Sequence, residues 1–78
     1  MNEQNKAVRT YLRNVAPRKA KEILDYAELT EYEKQIIIAI DVEKRGILYT
    51  ADCIAHLSER QTNRIHNKAL SKLVEYIK

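Results

Sequence analysis

The chain is predicted to be all-α, a small domain of four to five helices, and three observations carry that expectation. Apolar residues recur at steps of three and four through most of its length. Two capping boxes, Thr30 with Glu33 and Ser58 with Gln61, mark helix starts. One Gly and one Pro among 78 residues leave few breaks, and the abundance of Ala, Leu, Ile, Lys and Glu favours helices joined by short turns. That length suits one domain with a simple core, so residues 1–78 are read as a single unit. Residues 1–28 are expected to be N-terminal helices that either complete the core or make a homodimer, and residues 29–78 to be the functional unit.

Residues 1–4 are polar and expected to fray. From Asn5 to Ala16 the apolar positions Ala7, Val8, Tyr11, Leu12 and Val15 define an amphipathic helix. Pro17 either opens a new helix, where its missing N–H costs nothing, or kinks a continuous one. The following helix is expected to run to about Glu28 with Ala20, Ile23, Leu24 and Ala27 inward. Arg18, Lys19 and Lys21 crowd its start, against the preference of that end for acids; they are either a solvated face or a phosphate contact. Thr30 then caps a helix through Ile36–Ile40 to about Arg45. A run of apolar residues also suits a strand, but the cap, the flanking charges and the length decide for a helix buried nearly all round. Gly46 stands where a left-handed C-cap is expected. Thr50 is expected to cap a short helix through about His56, with Tyr49 packing on Ile54, unless that helix starts two residues earlier.

The last helix, 59–77, carries the clearest polarity. Thr62, Ile65, Ala69, Leu70, Leu73, Val74 and Ile77 form one stripe. Over the stretch Ser58 to Leu73 the opposite face reads Arg60, Asn63, Arg64, Asn67, Lys68, Ser71, Lys72 and holds no acid. Net charge follows the same division. Residues 1–29 hold six basic and four acidic residues, residues 30–57 three and five, and residues 58–78 five and two, giving +2, −2 and +3. Basic ends around an acidic middle point to a polyanionic partner for the last helix.

A short helix, a tight turn and a longer capped helix with a basic face make a helix-turn-helix, whose second helix enters the major groove of duplex DNA. Here the pattern is more particular: L-T-x-x-E at Leu29 to Glu33, A-x-x-I at Ala51 to Ile54, L-S at Leu57 and Ser58, and A-L-x-K-L at Ala69 to Leu73. These residues resemble region 4 of bacterial sigma-70 factors. The run S-E-R-Q-x-x-R-I-x-N-K-A-L, Ser58 to Leu70, is closer still to the ArpU/RinA-type phage regulators of late transcription. The resemblance covers about residues 29–76, with a turn one residue longer than in those proteins and Ala55 or His56 where their turn glycine stands. It implies a sigma-like helix-turn-helix at residues 29–78 that binds duplex DNA and regulates transcription. By position it implies that Arg60, Gln61, Asn63, Arg64 and Asn67 are exposed recognition-helix residues.

Chemistry sorts the candidates further. Arginine pairs bidentately with guanine, and Asn or Gln with adenine, so Arg60, Gln61, Asn63, Arg64 and Asn67 are expected base contacts. Lys68 and Lys72 lie further along and are expected on phosphates. Ser58 and Thr50, each at a helix start, are expected to receive phosphates through free amides. Glu59 is left to pair with Arg60 or Asn63 or to accept from cytosine. The competing expectation is a small phage-type protein that binds and modulates a host protein, such as RNA polymerase or another nucleic-acid enzyme.

Other chemistries find little support. Cys53, His56 and His66 fall short of a paired four-ligand zinc pattern, and His66 borders the apolar stripe as a packed histidine would, so neither metal nor cofactor is expected. Asp41, Glu43 and Asp52 need a cleft to act as catalytic carboxylates, and no nucleophile–base set is visible, so an enzyme is not expected. A single cysteine suits a reducing bacterial cytoplasm, and the longest apolar run, Ile36 to Ile40, is too short to span a membrane. With polar first residues, no signal peptide is expected. The five tyrosines, Tyr11, Tyr26, Tyr32, Tyr49 and Tyr76, are expected at the edge of the core with hydroxyls in water, or at a protein interface.

Overall fold

Three of the described helices, the second, third and last, begin at a local signal: Pro17, Thr30 and Ser58. The computed structural model describes residues 3–77. Among them are five helices: α1 (Glu3–Asn14), α2 (Pro17–Tyr26), α3 (Glu31–Ile37, continued by the π-helical turn Ile38–Val42), α4 (Ile47–Tyr49, continued by the π-helical turn Thr50–Ala55) and α5 (Glu59–Ile77). Pro17 opens α2 and does not kink a continuous helix, because Ala16 before it takes an extended conformation (φ −60°, ψ 141°). Thr30 and Glu33 close both arms of the α3 capping box: the Glu33 amide donates to Thr30 Oγ1 at 3.1 Å and the Thr30 amide to Glu33 Oε1 at 2.9 Å. No described helix is long and apolar enough to cross a membrane.

The helix with the continuous isoleucine run is the centre. Ile36, Ile37, Ala39, Ile40 and Asp41 of α3 are all buried, and α3 with its π turn touches every other helix. One apolar cluster joins Val8 and Leu12 of α1, Ala20 and Leu24 of α2, Ile37 of α3 and Ala69, Leu70 and Leu73 of α5. The two N-terminal helices therefore complete the core. A smaller cluster joins Ile36 and Ile40 to Ala55, with Ile47, Leu57 and Ile65 packed around it, and holds α4 in place. Tyr32 adds a polar tie: its hydroxyl, expected in water, donates to the Ala55 carbonyl at the end of α4.

Both internal helices end by the same device. At the end of α3 the Glu43 amide donates five residues back to the Ile38 carbonyl at 2.8 Å, and the Arg45 amide donates six back to Ala39 at 2.8 Å. At the end of α4 the His56 amide donates to the Ala51 carbonyl, and the Leu57 amide donates to the same oxygen at 3.1 Å. A residue in the left-handed region reverses the chain at each: Lys44 at φ 58° and His56 at φ 54°. Two expectations are corrected here. Gly46 is not the left-handed C-cap of α3; it sits at the N-cap of α4 with extended backbone (φ −70°, ψ 160°), because the π turn brings the reversal forward to Lys44. Thr50 is not a cap, because α4 starts at Ile47; its buried hydroxyl donates to the Gly46 carbonyl at 3.0 Å. Tyr49 is consequently not a staple residue before the helix but lies within it, with the Arg45 guanidinium 4.6 Å from its ring centroid.

A β-carbon in the left-handed region is strained, and glycine relieves it. His56→Gly and Lys44→Gly are each expected to stabilise the fold by about 0.5–1 kcal/mol, read as a higher urea midpoint. Gly46→Ala should change it by less than about 0.5 kcal/mol, since lost cap preference and reduced chain entropy oppose each other and a β-carbon there meets no atom within 4 Å.

Candidate nucleic-acid interface

The N-terminus of α5 is set by its own residues. Ser58 Oγ accepts from the Gln61 amide at 3.1 Å, and the Ser58 amide donates to Gln61 Oε1 at 3.3 Å. Thr62, His66, Ala69, Leu70 and Leu73 turn inward and are buried. That leaves Arg60, Arg64 and Lys68, at steps of four, as one exposed row. None of the three pairs with an acid among the described residues, and Glu59 beside them is exposed and unpaired among those residues too.

The remaining expected contacts fall into different places. Asn63 is exposed and borders a pocket shared with Arg9, Arg13 and Arg45. Gln61 is exposed, but its Oε1 is engaged by Ser58, leaving its Nε2–H groups to donate outward. Asn67 is half-buried beneath α1: Asn5 Nδ2 donates to its carbonyl at 3.2 Å, and its own Oδ1 is buried without a partner among the described residues. Ser58 is exposed at the helix start, but its own amide and hydroxyl are both engaged by Gln61. Thr50 is corrected as a phosphate contact: it is wholly buried and presents no surface hydroxyl. Lys72 is exposed at its tip, yet its ammonium donates to Glu33 Oε1 at 2.9 Å, so it braces α5 on the cap of α3.

Beneath this surface lies a polar centre. Asp41, in the π turn of α3, is fully buried. Arg9 Nε of α1 donates to its Oδ1 at 2.8 Å, Arg13 Nε lies 4.0 Å from the same oxygen, and His66 Nε2 of α5 donates to Oδ2 at 2.6 Å. One carboxylate thus fixes three helices by charge-assisted bonds. His66 is a packed histidine, while Cys53 and His56 are exposed. The sequence reading did not find this centre. Its traces are arginines at one helical turn's spacing, Arg9 and Arg13, and an acid closing the isoleucine run.

Glu33 shows how the local charges act. Burial raises its carboxyl, but the Thr30 amide and the Lys72 ammonium outweigh that, and its pKa is held below the usual carboxylate value. Comparisons with known proteins give no match: no family model, no curated protein and no solved structure corresponds to the chain.

Asp41→Asn keeps the shape but removes the charge that Arg9 and His66 face. It should lower stability by about 3 kcal/mol, the low end for a broken buried pair because Arg9 is partly in water, read from urea unfolding. For Glu33 the sign follows from the lowered pKa: its stabilisation is present above the ordinary carboxylate range and is lost as pH falls through the folded-state value. Glu33→Gln keeps a capping residue but loses the pair with Lys72. At neutral pH it should be less stable by roughly 1 kcal/mol, the upper end for a pair with one partner in water. That difference should shrink toward zero as both proteins are unfolded at progressively lower pH.

Proposed function

We propose that the chain is a sequence-specific duplex-DNA-binding regulator of transcription, reading the major groove with α5 as the second helix of a sigma-like helix-turn-helix. The observation that carries this is the row Arg60, Arg64 and Lys68, exposed on one face of a 19-residue helix and unpaired with any acid among the described residues. Unpaired arginines at the start of a rigid helix suit guanine edges, and a lysine further along suits a phosphate. The resemblance of residues 29–76 to sigma region 4 and to the ArpU/RinA-type regulators points the same way. So does the arrangement of α4 and α5, two helices separated by residues 56–58.

In this reading Arg60, Arg64 and the Gln61 amide groups contact bases, Asn63 contacts a base or a phosphate at the edge of the row, and Ser58 and Lys68 contact phosphates. Lys72 acts chiefly as a brace, because its ammonium is bonded to Glu33, and Asn67 as a packing residue, because it is half-buried.

The test is selection from a random duplex library at two salt concentrations, with the Arg60→Ala/Arg64→Ala double variant alongside. The expected result is an enriched sequence that the variant no longer prefers, each lost base contact costing about 1–3 kcal/mol of discrimination. Absence of an enriched sequence, or an unchanged preference in the variant, overturns the reading and favours a protein partner.

A further inference from the structure

A second basic surface lies beside the α5 row, on elements that a helix-turn-helix does not include. Arg9 and Arg13 of α1, Arg45 of the α3–α4 connection and Asn63 of α5 surround a pocket of about 340 Å³, with His66 at its base. Lys6 joins Arg9 and Arg13 along the outer face of α1 in an adjoining depression. In the pocket three cations, Arg9, Arg13 and Arg45, meet two acids, Asp41 and Glu43, and leave an excess of one positive charge, to which Lys6 adds another in the adjoining depression.

The guanidinium groups are held but not used up. Arg9 spends its Nε–H on Asp41, and its terminal nitrogens make no hydrogen bond among the described residues. Arg13 is only 4.0 Å from that same carboxylate oxygen, which Arg9 already occupies. Its side chain is 42% exposed, so it adds charge that Asp41 does not need for its own hydrogen bonding. Arg45 is seated on the Tyr49 ring at 4.6 Å and bonds Glu43 through Nε at 3.3 Å. A cation fixed on an aromatic face loses little freedom on binding a ligand. Three arginines from two elements and one amide converging on a concave surface suit a phosphate group, which guanidinium recognises by parallel N–H bonds.

We propose that Arg9, Arg13, Arg45 and Asn63 form a phosphate-binding pocket, and that its phosphate belongs to the backbone of the duplex whose groove α5 enters. The second half of that statement rests on the functional reading above. Asn63 is the link: it belongs to α5 and lies one helical turn from Arg60 and next to Arg64. The pocket therefore lies alongside the reading helix, where the flanking strand of a duplex runs. Such a contact sets position and affinity without reading sequence, and it gives α1 a role in binding beyond filling the core.

The experiment uses the whole chain with Arg13→Gln, Arg45→Gln and the double variant; Arg9 is left intact because it neutralises Asp41. Circular dichroism and urea midpoints establish that each variant is folded. In the first arm, inorganic phosphate is titrated against chloride at matched ionic strength while the arginine Nε–H resonances are followed by NMR. Saturable shifts at Arg13 and Arg45 with phosphate alone are expected, and shifts no larger than with chloride overturn the pocket. In the second arm, binding to duplex DNA is measured against salt concentration. Each single variant should flatten the logarithmic salt slope by about one and the double variant by about two, with the preferred sequence unchanged. Unaltered slopes in a protein that binds duplex refute the backbone assignment alone. Saturable phosphate binding with no duplex binding by the unaltered protein refutes the functional reading and the duplex source together, and leaves the pocket as a site for a free phosphate compound.

Discussion

The fold turns on the carboxylate of Asp41. A charge removed from water is tolerated only when opposite charges and hydrogen bonds take the place of hydration. Here both oxygens are occupied, one by Arg9 and one by His66, and the partners come from the first and last helices. The interaction is directional where the surrounding leucine and isoleucine contacts are not. Apolar packing permits many arrangements of five short helices, whereas the Asp41 centre permits few, because any slip of α1 or α5 along α3 leaves a buried charge unpaired. Register and charge pairing are thereby tied together, because removing one partner leaves an uncompensated buried charge.

The surface inherits its order from that centre. With His66 turned inward to Asp41, the residues at 60, 64 and 68 must face outward, since they lie on the other side of the same helix. With Arg9 turned onto Asp41, Arg13 one turn later comes to the same side of α1, opposite Arg45 and Asn63. The pocket beside α5 gathers around that buried acid, whereas the row on α5 already follows from the inward stripe of its own helix. Lys72 shows the opposite use of a cation. Bonded to Glu33, it is withdrawn from the row and secures the start of α3 against α5, so the sign of a surface charge does not by itself tell its role.

The connections obey a different constraint. Both α3 and α4 widen into a π turn before they end, and both reverse through a non-glycine residue in the left-handed region. The strain at His56 lies just before α5, and it sets the direction of that helix through backbone geometry and not through a glycine. Tyr32 donates to Ala55 one residue earlier and Leu57 packs in the smaller apolar cluster one residue later, so the strained residue is pinned on both sides.

Much of this was legible along the chain. The capping boxes at Thr30 and Ser58, the extent of α5 and its inward stripe follow from interactions three or four residues apart, which any helix forms in place, whereas Pro17 left a new helix and a kinked one both open. The basic face of α5 was legible for the same reason, but not that Asn67 is half-buried and Lys72 bonded to Glu33, which narrows it to Arg60, Arg64 and Lys68. What failed were Gly46 as a C-cap and Thr50 as a cap and phosphate contact, because the π turns move the helix ends and no local pattern announces a π turn. The centre at Asp41 and the arginine pocket left only traces in the sequence, because Arg9 and His66 lie 32 and 25 residues from their shared acid. Periodicity in the chain decides which residues each helix turns inward, because it reports only one helix at a time. Which charges meet there, and which are left at the surface, is decided by the packing of helices against one another.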